Sequence, residues 1–185
     1  MSTPAEQIET LTEEEYLAME LTSEVKHEYV AGHIYAMTGA SAIHNIVAGN
    51  LYLILRERLR RSPCRVFMSD VKLKVDSASA FYYPDLMVSD EPAPDSYYRE
   101  QPKLIVEVLS DSTARYDFGD KRRAYQSLES LDEYVLVAQE CMDVRIFRRS
   151  ESGWTMDIYT DGATIPVESV DLRIPIESIY EEAWV

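Results

Sequence analysis

Hydrophobic residues recur at helical spacing in the first third of the chain and gather into short runs further along. The segment "ASAIHNIVAGNLYLILRERLRR" carries apolar residues at spacings of three and four, which predicts an amphipathic helix that ends at Pro63. Thr12, followed three residues later by Glu15, predicts the start of an earlier helix. Between the two helices, Gly32 separates the strand-like halves of "HEYVAGHIYAM" and predicts a tight hairpin.

Strand-like runs dominate the rest of the chain. "CRVFMSDVKLKV", "YYPDLMVS" and "KLIVEVLS" predict three strands, residues 117–128 predict a helix, and "EYVLVA", "DVRIFRR" and "WTMDIYTD" predict three more strands. The Pro-rich stretch at 91–96 is interpreted as a loop. This order predicts an α/β or α+β fold in which a central mixed β-sheet is flanked by helices. The length of 185 residues favours one domain, residues 1–185, with residues 1–10 expected to be flexible.

One acid interrupts a run that otherwise reads as a fully buried strand. Glu107 stands inside "LIVEVLS", residues 104–110, where both neighbours are valine. Removing a carboxylate from water costs several kcal/mol unless a cation or hydrogen-bond donors meet it. We therefore expect Glu107 to face an ion-pair partner, a metal or a cleft.

A second acid lies close by in the sequence pattern. Asp85 follows Pro84 at the start of the apolar strand "DLMVS". On adjacent strands, Asp85 and Glu107 would share a hard cation such as Mg²⁺, with the main-chain carbonyl of Val108 as a further ligand. The alternatives are that Pro-Asp is an ordinary turn and that Glu107 forms a structural ion pair with an Arg or Lys.

These residues resemble the PD-(D/E)XK nuclease superfamily, whose hallmark is Pro-Asp, a spacer, and then Asp/Glu-x-Lys. Pro84, Asp85 and Glu107 match, whereas Leu109 stands where the lysine belongs. From about residue 11 to about residue 179 the chain is similar to the Uma-type, restriction-endonuclease-like branch, formerly a domain of unknown function. The resemblance implies a restriction-endonuclease-like fold, Mg²⁺- or Mn²⁺-dependent hydrolysis of DNA phosphodiester bonds, and a catalytic lysine moved to the next helix, which here is Lys121.

The helix that follows Glu107 offers that lysine in a suitable pattern. Asp117, Lys121 and Tyr125 are spaced four apart and so share one helix face. The ammonium would orient the attacking water or offset charge on the phosphate. An exposed ion pair between Asp117 and Lys121, and simple packing for Tyr125, remain the alternatives. Glu28 is a further candidate because hairpin acids often complete the metal site in this superfamily, and His44 is a weaker candidate on the amphipathic helix.

Charge and composition restrict the remaining classes of function. The net charge is −15, which argues against a protein that coats nucleic acid, although acids at the two ends account for most of it and the middle is nearly neutral. Basic clusters near residues 56–65, 121–123 and 145–149 leave a local positive surface open. The two cysteines suggest neither a disulfide framework nor a zinc site, and no signal peptide or membrane span is visible, so we expect a cytoplasmic protein.

The leading hypothesis is a Mg²⁺-dependent endonuclease that uses Asp85, Glu107, Lys121 and Glu28. One rival is a catalytically silent protein that keeps the nuclease fold and binds a partner or assembles, for instance as a homodimer. Another is a hydrolase of small phosphate compounds that uses the same residues. DNA as substrate, the divalent cation and the homodimer all remain expectations at this level.

Overall fold

The computed structural model describes residues 10–92, 97–110 and 116–184. The segment expected to be flexible, residues 1–10, lies outside these ranges except for residue 10. The Pro-rich loop, residues 91–96, lies outside them except for residues 91 and 92. Among the residues described, no helix combines the length and apolar character needed to cross a membrane.

Helices and strands alternate along the described chain in an α+β arrangement. The helices are α1 (Glu13–Glu20), α2 (Ala42–Arg58), α3 (Arg122–Gln126) and α4 (Ile176–Ile179), and a π-helical turn, Asp117–Lys121, leads into α3. The strands are β1 (His27–Val30), β2 (His33–Ala36), β3 (Arg65–Met68), β4 (Lys72–Val75), β5 (Ala80–Tyr82), β6 (Leu86–Ser89), β7 (Tyr98–Arg99), β8 (Leu104–Leu109), β9 (Glu133–Ala138), β10 (Asp143–Ser150), β11 (Gly153–Thr160), β12 (Thr164–Val167) and β13 (Leu172–Pro175).

Two larger sheets and one small sheet organise these strands. The six-stranded sheet has the order β11-β10-β9-β8-β6-β3, and the five-stranded sheet has the order β2-β1-β5-β4-β7. Within the six-stranded sheet β8 and β9 run parallel and the other neighbours run antiparallel, so this sheet is mixed. The prediction of a mixed sheet flanked by helices is therefore confirmed, with β8, the strand of Glu107, near its middle.

Two segments predicted as single strands are each divided between the sheets. "CRVFMSDVKLKV" forms β3 and β4, and "YYPDLMVS" contributes to β5 and β6. Since β3 pairs with β6 and β4 pairs with β5, the two segments make one hairpin that bends from the six-stranded to the five-stranded sheet. At the bend Ser69 has φ 42° and its N–H lies 3.2 Å from the carbonyl oxygens of both Pro84 and Asp85. The prediction of unbroken strands was wrong, and the bend is what brings Asp85 to the junction of the sheets.

The predicted local signals in the first part of the chain are confirmed. Thr12 and Glu15 form a reciprocal capping box at the start of α1. The hairpin of β1 and β2 turns at Ala31 and Gly32, both with positive φ. Helix α2 buries Val47, Ala48, Leu51 and Leu55 against the six-stranded sheet and ends at Arg58, before Pro63.

Candidate functional site

Asp85 and Glu107 lie side by side at the junction of the two sheets. The Asp85 N–H donates to Glu107 Oε2 over 3.2 Å, and the Val108 N–H donates to Asp85 Oδ2 over 2.8 Å. Each carboxylate thus accepts a backbone hydrogen bond from the neighbouring strand, which fixes both side chains. The register of β6 against β8 is the cause, since Leu86 pairs with Val106 immediately beyond Asp85.

Lys121 reaches back from the following helix to the strand of Glu107. Its Nζ lies 2.8 Å from Glu28 Oε1, 3.2 Å from Glu107 Oε1 and 3.6 Å from Asp117 Oδ1. The lysine is buried, as are the three carboxylates that surround it. Lys121 is fourteen positions from Glu107 in the chain, and it lies at the end of the π-helical turn that precedes α3.

Two tyrosines hold the carboxylates that contact Lys121. The Tyr125 hydroxyl donates to Glu107 Oε1 over 2.9 Å, one helical turn beyond Lys121. The Tyr83 N–H donates to Glu28 Oε1 over 3.3 Å. The packing role for Tyr125 therefore comes with a direct hydrogen bond to the central acid of the site.

His44 lies on the opposite side of Asp85. It sits in the first turn of α2, which Ser41 caps by accepting from the His44 N–H, and its Nε2 is 3.1 Å from Asp85 Oδ2. The hydrogen bond to Asp85 raises the pKa of His44, while burial opposes that rise and the Val108 backbone supports it. The Asp85 carboxylate thus stabilises the charged form of the imidazole more than water alone would, which is why the pKa of His44 lies above its ordinary value.

The cluster holds more negative than positive charge. Three acids, Glu28, Glu107 and Asp117, surround Lys121, and a fourth, Asp85, lies beside Glu107. Burial raises the pKa of Glu107 well above its ordinary value, and the nearby carboxylates add to this rise while Lys121 opposes it. Burial works to lower the pKa of Lys121, but Glu107, Glu28 and Asp117 outweigh it and hold that pKa above its ordinary value. A further cation near Asp85 and Glu107 would relieve this excess.

A pocket of about 560 Å³ opens beside the cluster. Its lining includes the candidate residues His44, Asp85, Glu107, Val108, Asp117 and Lys121. Polar residues that the sequence analysis did not single out complete the wall, among them Lys26, Ser41, Asn45, Ser110 and Gln139. These had no sequence signal of their own, because they come from four separate segments of the chain, with Ser41 and Asn45 together at the start of α2.

The oxygen atoms at the pocket fit a hard divalent cation that takes only a few of its ligands from the protein. In the described ranges, no three His, Cys, Asp or Glu side chains are grouped to hold a metal. Mg²⁺, however, is commonly held by one or two carboxylates, with waters and substrate phosphates completing its shell. Asp85 and Glu107 supply two carboxylates at the pocket, and every candidate donor, including the Val108 carbonyl, is an oxygen.

All eight residues predicted for the site converge on this one place. The structure brings together Glu28, His44, Asp85, Glu107, Val108, Asp117, Lys121 and Tyr125 through the contacts given above. The basic cluster at the end of α2 is directed elsewhere, since Arg58 binds Asp171 at 2.6 Å. Tyr83, which donates its backbone N–H to Glu28, was not predicted, and its only signal was its position next to Pro84.

Known proteins resemble this chain over most of its length. A solved structure from Anabaena variabilis ATCC 29413, described as a putative nuclease belonging to DUF820, has a TM-score of 0.76 at 15% sequence identity and covers 92% of this chain and 97% of that one. At this identity the likeness shows the fold. The uncharacterized protein slr1290 of Synechocystis sp. is 31% identical over 180 residues, covering 96% of this chain and 95% of the relative. The uncharacterized protein sll1609 of the same organism is 34% identical over 143 residues, covering 75% and 81%.

The family comparison agrees with the resemblance inferred from the sequence. The pattern that defines the Uma2 family, described as "Putative restriction endonuclease", matches residues 13–177. The match includes the hairpin acid, both carboxylates at the sheet junction and the displaced lysine. The chain therefore belongs to the Uma2 family.

Proposed function

We propose that this protein is a metal-dependent endonuclease that hydrolyses DNA phosphodiester bonds with Mg²⁺ or Mn²⁺. One observation carries the proposal: the ammonium of Lys121 lies 3.2 Å from Glu107. Leu109 occupies the lysine position of the motif, and Lys121 supplies an ammonium at the same site from the following helix. Family membership and the fold shared with a protein described as a putative nuclease support the same reaction class.

Asp85, Glu107 and the Val108 carbonyl are the groups that would hold the cation. When bound, a divalent cation supplies Lewis acidity and a water of lowered pKa. The Asp85 N–H, which donates to Glu107, and the Val108 N–H, which donates to Asp85, keep the two carboxylates in place before any ligand arrives. This preorganisation supports a built site rather than an accidental pair of acids.

Lys121 acts as a permanent cation in this proposal. Because three carboxylates raise its pKa, it stays protonated at neutral pH and serves poorly as a proton acceptor. Its third N–H can instead donate to the attacking water or to a phosphate oxygen, and its charge offsets the charge that develops there. Glu28 and Asp117 hold the ammonium in position, and Tyr125 holds Glu107.

A cleavage assay tests the proposal. Purified protein is expected to cut DNA with Mg²⁺ or Mn²⁺ and to stop when EDTA is added. Glu107→Gln and Lys121→Met should each lower the rate by at least about a hundredfold, typical of losing one transition-state contact. Unchanged cleavage in both variants would overturn the assignment.

Matched controls separate catalysis from folding. Glu133→Gln removes a buried acid from the neighbouring strand β9, where the carboxylate binds Arg148 at 2.9 Å. Lys74→Met removes a lysine of β4 that pairs with Asp76 at 2.9 Å. Both controls should keep the cleavage rate of the folded protein within about twofold, since neither side chain lines the pocket.

One observation favours a second candidate, a catalytically silent protein that keeps the fold. Asp85 Oδ2 already accepts from the Val108 N–H and lies 3.1 Å from His44, so part of the donor set is in use. Calorimetry with Mn²⁺ separates the two candidates. Binding that disappears in Asp85→Asn supports the nuclease, and the absence of binding to the wild type supports the silent protein.

A further inference from the structure

The cluster of acids and lysine is recessed rather than displayed on a surface. Glu107 is 3% exposed and Lys121 is 6% exposed, and the reachable side chains are those that line the pocket. A phosphate must therefore enter the pocket to meet both groups. The outer phosphates of a stiff duplex are poorly suited to such an entry, whereas a flexible strand can bend one phosphate inward.

The charge around the pocket also disfavours a duplex. Among the described residues that line it, four are acids and two are lysines, and one of these lysines, Lys26, is bound to Asp70. Duplex DNA carries one charge per about 1.7 Å of its axis, and proteins that bind it neutralise several phosphates with Lys and Arg. A lining of this composition provides little of that neutralisation.

An exposed tyrosine lies beside the site on the same face of the five-stranded sheet. Tyr35 of β2 pairs directly with Glu28 of β1, so both side chains stand on the face that carries Glu28 toward Lys121. The opposite face is identified independently, because Tyr29 stacks there on Tyr16 of α1 with ring centroids 5.0 Å apart. Tyr35 is 55% exposed, so its ring is accessible from solvent.

Met37 connects the strand of Tyr35 to the pocket. Met37 follows two positions later on the same side of the chain, and it lines the pocket together with Lys26. The Met37 N–H donates to the Lys26 carbonyl over 2.8 Å, which extends the pairing of β1 and β2 to the pocket edge. An exposed ring and a polar pocket thus lie one after the other along a single edge strand.

We propose that the site takes an unpaired DNA strand, with one base stacked on Tyr35 while the neighbouring phosphate enters the pocket. This inference rests on the proposed nuclease function and names its substrate class. Aromatic rings bind single strands by stacking on bases of any sequence, which suits the exposed ring of Tyr35.

Binding measurements test the inference separately from cleavage. Fluorescence anisotropy in Ca²⁺ compares a labelled single strand with the duplex of the same sequence and with an RNA strand of that sequence. The single DNA strand is expected to bind at least about tenfold more tightly than the duplex. Tyr35→Ala should weaken single-strand binding on the order of tenfold, and Tyr35→Phe should retain it.

Tyr97→Ala is the matched control, since Tyr97 is 64% exposed and directly precedes β7, at the edge of the five-stranded sheet opposite β2. It should bind the single strand as the wild type does. The inference would be overturned if the duplex or the RNA strand bound as tightly as the single DNA strand or more tightly, or if no DNA bound. It would also be overturned if Tyr35→Ala and Tyr97→Ala had equal effects on binding of the single strand. If the single strand bound in a way that depended on Tyr35 but was not cleaved in Mg²⁺, the proposed nuclease function would be contradicted. The preference for an unpaired DNA strand would still be supported.

Discussion

Replacing Glu107 by glutamine should change the pH dependence of stability more than stability itself. Burial raises the pKa of the Glu107 carboxyl well above its ordinary value of 4.5. The folded protein therefore keeps this proton over a pH range in which the unfolded chain has lost it. In that range the free energy of unfolding of the wild type falls as pH rises, because the folded state binds more protons.

The size of the effect follows from proton linkage. One proton retained by the folded state alone corresponds to a slope of at most about 1.4 kcal/mol per pH unit. The slope begins above the ordinary value of 4.5 and ends as pH passes the raised pKa of the folded state. Glu107→Gln has no such proton, and Lys121 keeps its contact of 2.8 Å to Glu28. The variant should therefore gain in stability relative to the wild type as pH rises.

Urea unfolding from pH 4 to pH 8 in EDTA measures this difference. Glu133→Gln serves as the comparison, because its carboxylate accepts from Arg148, from the Glu168 N–H and from Ser169. Removing one partner of such a buried pair costs roughly 3 to 5 kcal/mol. A loss of that size for Glu107→Gln at neutral pH, with no difference in pH slope from the wild type, would refute the reasoning and make Glu107 a structural partner of Lys121.

Two smaller changes should follow from the geometry. Tyr125→Phe removes the 2.9 Å hydrogen bond to Glu107. It should lower the free energy of unfolding in urea by about 0.5 to 1.5 kcal/mol and should also lower the cleavage rate. An unchanged free energy of unfolding together with an unchanged cleavage rate would contradict the contact. Gly32→Ala should cost more than about 1 kcal/mol, because φ is +93° and the new Cβ would lie 2.8 Å from Thr10 Cβ. Gly162→Ala, with φ +77° and no neighbour within 4 Å, should cost less when urea unfolding compares the two glycine variants, and an equal cost would show that the contact with Thr10 is unimportant.

Local features were predictable where the deciding interactions are local. The capping box of Thr12 and Glu15 and the positive φ of Gly32 depend on residues within a few positions of each other. The shared face of Lys121 and Tyr125 also follows from spacing, and both side chains reach Glu107 Oε1. The π-helical winding of residues 117–121 was not predicted, because the apolar pattern does not distinguish it from an α-helix.

The division of the strands could not be read from the sequence. Alternation of apolar residues predicts a strand but does not say which sheet each half joins. The bend depends on Ser69, whose N–H donates to the carbonyl oxygens of Pro84 and Asp85. Both residues lie well beyond Ser69 in the chain. The pairing of β12 with β13 and the short helix α4 were also missed, since their segments are brief and weakly patterned.

The site was predictable to the extent that its acids stand out against apolar neighbours. Glu107 was conspicuous within its strand, Asp85 stood out at the start of a neighbouring apolar strand, and the family resemblance pointed to Lys121. The contact between His44 and Asp85 and the hydrogen bond from Tyr83 to Glu28 join distant parts of the chain, so only the fold reveals them.

The central claim is that Asp85 and Glu107 hold a divalent cation beside Lys121. Crystals soaked in Mn²⁺ test it most directly, through the anomalous signal of the metal. The account predicts one peak in the pocket, coordinated by oxygen atoms of Asp85, Glu107 and the Val108 carbonyl, that disappears in Asp85→Asn. The claim would be contradicted if the pocket showed no peak under saturating Mn²⁺, or if the same peak remained in Asp85→Asn.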